Sequence, residues 1–310
     1  MAKPNLYWNV YKNLEKELLQ LADCIHIDDC QMDVYSMKIA DLLIRTAVEI
    51  ESLSKELYSL NGGACVQGGN LYFDTDCIKY LDVMWKVEKK QVIIASPHLY
   101  LLDSSRVLEP LKNCSRRGKG LWKTAYQAVK HDRAKELTKG SLKNFIEALA
   151  ALYLLNVYYR GSAVELGSDS AGTKFDETCG SSVFSIVVHG FSGIGATGEY
   201  QRGPTFEAST YLVRATNKTA VPAINALAKV DAESSKEKVR AIVDAVKSAI
   251  AGEEKFDKDK LSRIASETMV RVAKAHANEL SKAFNGLRYE AVLNKNACYD
   301  YTKPVKLASK

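Results

Sequence analysis

From Phe145 to Tyr159 the chain is almost wholly apolar, and on a helix Phe145, Ile146, Leu149, Leu152, Leu155 and Tyr159 cover more than one side of the rod. A helix of that kind is stable only when neighbours cover it all round, so it predicts a core element of a helical assembly. Ser141, after Gly140, can cap its first turn. Glu147 and Asn156 interrupt the apolar run, and no run reaches the roughly 18 residues that a membrane helix needs. No membrane association is therefore expected.

Other segments have the spacing of helices that could pack around this rod. Leu6, Val10, Leu14, Leu18, Leu21 and Ile25 recur every three or four residues, as do Tyr35, Ile39, Leu42, Leu43, Thr46, Ile50, Leu53 and Leu57 between Asp33 and Leu60. Asn61-Gly62-Gly63 ends the second of these. Asp74 or Thr75 can cap a third helix carrying Ile78, Leu81, Met84 and Trp85. Val92 to Ala95 and Leu99 to Leu102 read as strand or irregular chain, and a further helix is expected from Leu121 to about Thr138.

Past Arg160 the texture changes. Gly161 to Glu177 is rich in Gly, Ser, Asp and Thr and reads as a linker or long loop. Ser182–Val188 and Phe206–Thr216 suit strands, joined as a hairpin through the loop Gly190 to Gly203. Two helices follow, Ser235–Ala251 and Asp257–Phe284, then a short strand near Leu287–Leu293 and an extended tail from Asp300. The expected fold is mainly α: a helical bundle over residues 1–162, then a smaller α+β region over 163–310 with a short β-hairpin and two long helices.

Seven scattered cysteines with no Cys-x-x-Cys pair give neither a disulfide framework nor a zinc site, and most are expected to be small buried hydrophobes. The five histidines form no ligand pair, so no metal and no cofactor is expected. The start of the sequence lacks a secretory pattern, which predicts a cytoplasmic protein.

Charge is unevenly placed. Between Lys112 and Lys143 ten basic residues face two acidic ones, while the chain as a whole carries only +6, so its remainder is slightly acidic. Concentrated Lys and Arg fit a polyanion, because neutralised phosphates release their counterions; they also fit a plain solvated face. Lys112, Arg116, Arg117, Lys119 and Lys123 are the candidate nucleic-acid contacts. His131 has the company that chemistry needs: Gln127, Lys130 and His131 share a helix face, with Tyr126 beside them and Arg133 following. An imidazole among fixed cations suits general-base attack by a ribose 2′-hydroxyl. The alternative is a histidine that only hydrogen-bonds a neighbouring helix. The glycines at 190, 193, 195 and 198 read as ordinary loop residues.

The segment Val34-Tyr-Ser-Met-Lys-Ile-Ala-Asp-Leu-Leu-Ile-Arg-Thr-Ala-Val-Glu-Ile-Glu-Ser-Leu-Ser-Lys-Glu-Leu-Tyr58, then Trp122-Lys-Thr-Ala-Tyr-Gln-Ala-Val-Lys-His-Asp-Arg133, then an apolar helix, resembles the HEPN group of prokaryotic proteins over about residues 5 to 160. The resemblance implies a bundle of four or five helices, usually dimeric, in which paired motifs form one RNA-cleaving site without metal. It also implies a place in toxin, abortive-infection or antiphage systems. The family signature is Arg, four to six positions, then His; here Tyr126 and Gln127 stand where Arg and its polar follower would be. The implied function is a metal-independent ribonuclease working as a homodimer or higher homo-oligomer, with His131, Lys130, Arg133, Tyr126 and Gln127 at the site, RNA as partner, and a regulatory protein as a possible further one. The alternatives are a non-catalytic module that binds nucleic acid or protein, and an oligomeric assembly protein.

Overall fold

The computed structural model describes residues 6–64, 70–194, 198–251 and 258–296. Helices α1 (Leu6–Cys24), α2 (Met37–Leu60) and α3 (Lys79–Trp85) come first, then strand β1 (Val92–Ile94), the one-turn helix α4 (Asp103–Arg106) and β2 (Val107–Leu108). Next come α5 (Leu121–His131), the one-turn α6 (Arg133–Glu136) and α7 (Leu142–Arg160). Strands β3 (Val164–Gly167), β4 (Phe184–Ile186), β5 (Val188–His189) and β6 (Tyr211–Ala215) precede the long helices α8 (Asn217–Ile250) and α9 (Lys258–Asn285), and β7 (Tyr289–Leu293) follows them. The protein is mainly helical with a smaller sheet region.

The apolar segment is the central helix α7, in which every side chain from Ala148 to Tyr158 is buried. Helices α1, α2 and α5 all pack on it. Ser141 caps α7 by accepting from the Asn144 N–H, and Ser36 caps α2 by accepting from the Ile39 N–H at 3.1 Å. Close approach of α7 to α2 requires Gly140: a Cβ there would lie 2.6 Å from that of Ala40. Helix α2 ends as its sequence predicts, with Asn61 bonding back to Leu57 and Gly62 at φ +85.

The sheets correct several expectations. Strand β4 pairs antiparallel with β1, which also pairs with β2, so one three-stranded sheet takes strands from both sides of residue 162. One apolar core runs from Tyr11 through α7 to Ala291. Segments 182–188 and 206–216 do not form a hairpin: β5 lies parallel to β6, and β6 pairs antiparallel with β7, some seventy residues on, across the α8–α9 pair. Alternation reports a buried face, not a partner, and here the partner is remote. Strand β3, in the stretch expected to be a linker, adds to β7 with a bulge between Glu165 and Gly167.

Other boundaries also shift. Before α3 the chain forms a π-helical turn, Phe73–Ile78, rather than a helix capped by Asp74 or Thr75. Helix α8 begins at Asn217, eighteen residues before the expected Ser235, and accommodates Pro222 near its start. Cys77 and Cys114 are buried as expected, but Cys24 and Cys30 are exposed and Cys179 is half-buried. Cys65, Cys298 and the tail from Asp300 lie outside the described residues. Among the described residues no helix is long and apolar enough to cross a membrane.

Candidate nucleic-acid interface

Helix α5 is amphipathic: Trp122, Ala125, Tyr126 and Val129 are buried against the bundle. Thr124, Gln127, Lys130 and His131 face outward into an open cleft of ≈ 890 Å³. Its opposite walls are Glu51 and Lys55 of α2, the stretch Leu71–Thr75, and Arg117 with Gly118. The Trp122 indole N–H, bonded to the Pro110 carbonyl at 2.7 Å, fixes the helix against the preceding loop.

The expected helix to Thr138 stops at His131. Asp132 leaves the helical region at φ −145, ψ 71, and its carboxylate accepts from the Lys135 N–H to open α6. This break places His131, exposed, on the last turn of α5 at the cleft. It also turns Arg133 away, into an ion pair with Asp41 of α2 at 2.8 Å. Arg133 does not line the cleft, which corrects its place among the site residues.

Tyr126 is another correction, being only 1 % exposed. It lies beneath the cleft as a support: its hydroxyl accepts from Lys130 Nζ at 3.1 Å, and the ammonium sits 5.2 Å from the ring centroid. Burial raises the phenol's pKa; the Lys130 cation opposes this, and the nearby Glu51 carboxylate reinforces it. The phenol thus stays neutral and holds the Lys130 ammonium by accepting from it.

Lys123 is likewise no free phosphate contact. Its side chain is 3 % exposed and its ammonium is shared by the Asp74 carboxylate at 2.9 Å and the carbonyls of Cys114 and Arg116 at 2.7 and 2.6 Å. A lysine so buried staples the basic loop to the π-turn. Lys112 pairs with Glu109 and lines a separate cleft. Arg116 and Lys119 are exposed on the loop, and Arg117 alone of that loop's cations reaches the His131 cleft. The structure therefore brings together His131, Lys130, Gln127 and Arg117, with the ion-paired Lys123 also in the lining of their cleft.

Glu51 and Lys55 escaped the sequence reading, although their spacing of four on α2 beside the apolar stripe was a legible signal. Among the described residues no group of three or more His, Cys, Asp or Glu side chains is placed to hold a metal ion. Comparison with protein-family models, curated proteins and solved structures finds no match for this chain.

Proposed function

We propose that the protein binds RNA in the α2–α5 cleft and cleaves it there without a metal, with two copies of the chain completing the site. The observation that carries this reading is the exposed His131 imidazole in one cleft with Lys55, Arg117 and Lys130. In the proposed step His131 takes the proton of a ribose 2′-hydroxyl. The freed oxygen attacks the adjacent phosphorus, and the bond to the 5′-oxygen breaks. A 2′,3′-cyclic phosphate and a 5′-hydroxyl result, the latter protonated by an acid that His131 of the second copy supplies. Lys130, steadied by Tyr126, and Arg117 stabilise the charge that grows on the phosphate oxygens. A defence or toxin role, in the cytoplasm and under a partner's control, fits the same chemistry.

A second reading, a module that holds RNA without cutting, has its own support: the His131 imidazole makes no hydrogen bond to another described residue, so no described group of the same chain fixes its tautomer. Incubation of the purified protein with tRNA and total RNA in EDTA decides between them. Cleavage that persists in EDTA and falls at least about 100-fold in His131→Ala is expected. Cleavage unchanged in the variant marks a contaminant, and salt-sensitive retardation without cleavage selects the binding module.

A further inference from the structure

Next to the His131 cleft lies a second one of ≈ 560 Å³, and the two share Tyr72. Its chemistry differs. Tyr58 and Tyr80 stand edge to face at 5.0 Å in its wall, with Asn70 and the exposed Val83 beside them. Both phenols are anchored: Tyr80 donates to the Asn61 carbonyl at 2.8 Å and Tyr58 to that of Ala64 at 3.1 Å, so the rings are held in place. Tyr72, on the ridge, is 58 % exposed, and its backbone N–H is fixed by Asp76 Oδ2 at 2.8 Å. Helix α2 runs along both clefts: Glu51 and Lys55 line the first, Tyr58 one turn later the second, a span of about 10 Å along the axis.

Aromatic faces beside a cationic groove are the arrangement that single-stranded nucleic acid needs, with bases stacked on rings and phosphates drawn along the charges. A duplex keeps its base faces stacked inside and cannot use such a platform. We infer that the Tyr58–Tyr72–Tyr80 cleft is a base-binding subsite for single-stranded RNA whose phosphates lie in the neighbouring Lys55–Arg117–Lys130 cleft. The inference rests on the cationic cleft being an RNA site, and it adds both the strand state of the substrate and the residues that grip its bases. Asn70, with an amide that both donates and accepts, supplies an edge contact to a base in the same cleft.

The test is fluorescence anisotropy with a short labelled single-stranded RNA and a duplex of the same length, across a salt series, on full-length protein carrying His131→Ala so that nothing is cut. Adding Tyr72→Ala should weaken single-strand binding roughly five- to 100-fold, as expected for one lost stack, with the salt slope unchanged. Tyr72→Phe should restore it, whereas Lys55→Ala should lower the slope by about one. Unchanged affinity in Tyr72→Ala, or a duplex bound as tightly as the single strand, overturns the base subsite and leaves the cationic cleft standing. Failure of the parent to bind any RNA removes both.

Discussion

Two residues show how burial reassigns a charge that sequence alone places at the surface. Lys123 belongs to the basic run, yet its ammonium is enclosed by Asp74 and two carbonyls. Lys123→Met should cost about 3 kcal/mol, since it strands the Asp74 carboxylate and two carbonyl acceptors; Lys119→Ala, on the exposed loop, should stay within about 0.5. Urea denaturation measures both, and a loss below about 1 kcal/mol for Lys123→Met would show that water replaces the pair. Glu147, on α7, is the reverse case. Burial, reinforced by Glu109 and opposed by Lys143, raises its pKa from 4.5 to about 7. Between those values the folded protein holds a proton on Glu147 that the unfolded chain has released, so the contribution of Glu147 to stability falls as pH climbs from about 4.5 to 7 and is level above. Glu147→Gln, which mimics the protonated acid, should stabilise the protein by on the order of 2–3 kcal/mol at pH 8 and leave it unchanged at pH 4. Parallel stability curves for the two proteins would contradict this.

At the scale of elements, the bundle helices α1, α2 and α7 were legible and the strands' partners were not. The stripe from Ile39 to Leu57 and the all-round apolarity of α7 each follow from one local period, and Ser36, Ser141 and Gly62 mark ends that depend only on nearby backbone groups. The end of α5 was missed because nothing upstream of Asp132 breaks the helical pattern; the aspartate's own capping bond does so. The strand pairing of β5, β6 and β7 was out of reach for another reason: Leu212 pairs with Val292, and β5 contributes only two residues to the ladder. As for the site, the face holding Gln127, Lys130 and His131 was readable from spacing. Its opposite wall, with Glu51, Lys55 and Tyr72, exists only once α2 and the π-turn pack against α5.

For the whole molecule, the change of texture after Arg160 marks the short strand β3 and the loop that follows it, not a seam in the core. Glu15 on α1, 1 % exposed, accepts from the Ser181 hydroxyl and from the backbone N–H groups of Ser182 and Val183, while Lys12 bonds its other oxygen. Burial raises the pKa of this carboxyl, but Lys12, Ser181 and Tyr11 outweigh it and hold the group below its ordinary range. The Tyr153 phenol on α7 donates to the Thr178 carbonyl at 2.9 Å, and β4 covers one edge of β1. A chain cut after residue 162 would thus lose hydrogen-bond donors to a buried carboxylate, an acceptor for a buried phenol and the partner of a central strand at once. Each of these costs about 1–3 kcal/mol or more, against a total stability of about 5–15. Residues 1–162 alone should therefore lack a cooperative thermal transition and expose apolar surface to a hydrophobic dye, whereas the full chain melts sharply. A sharp transition in the shortened chain would mean that the bundle is self-sufficient and that the strands of the second half only decorate it.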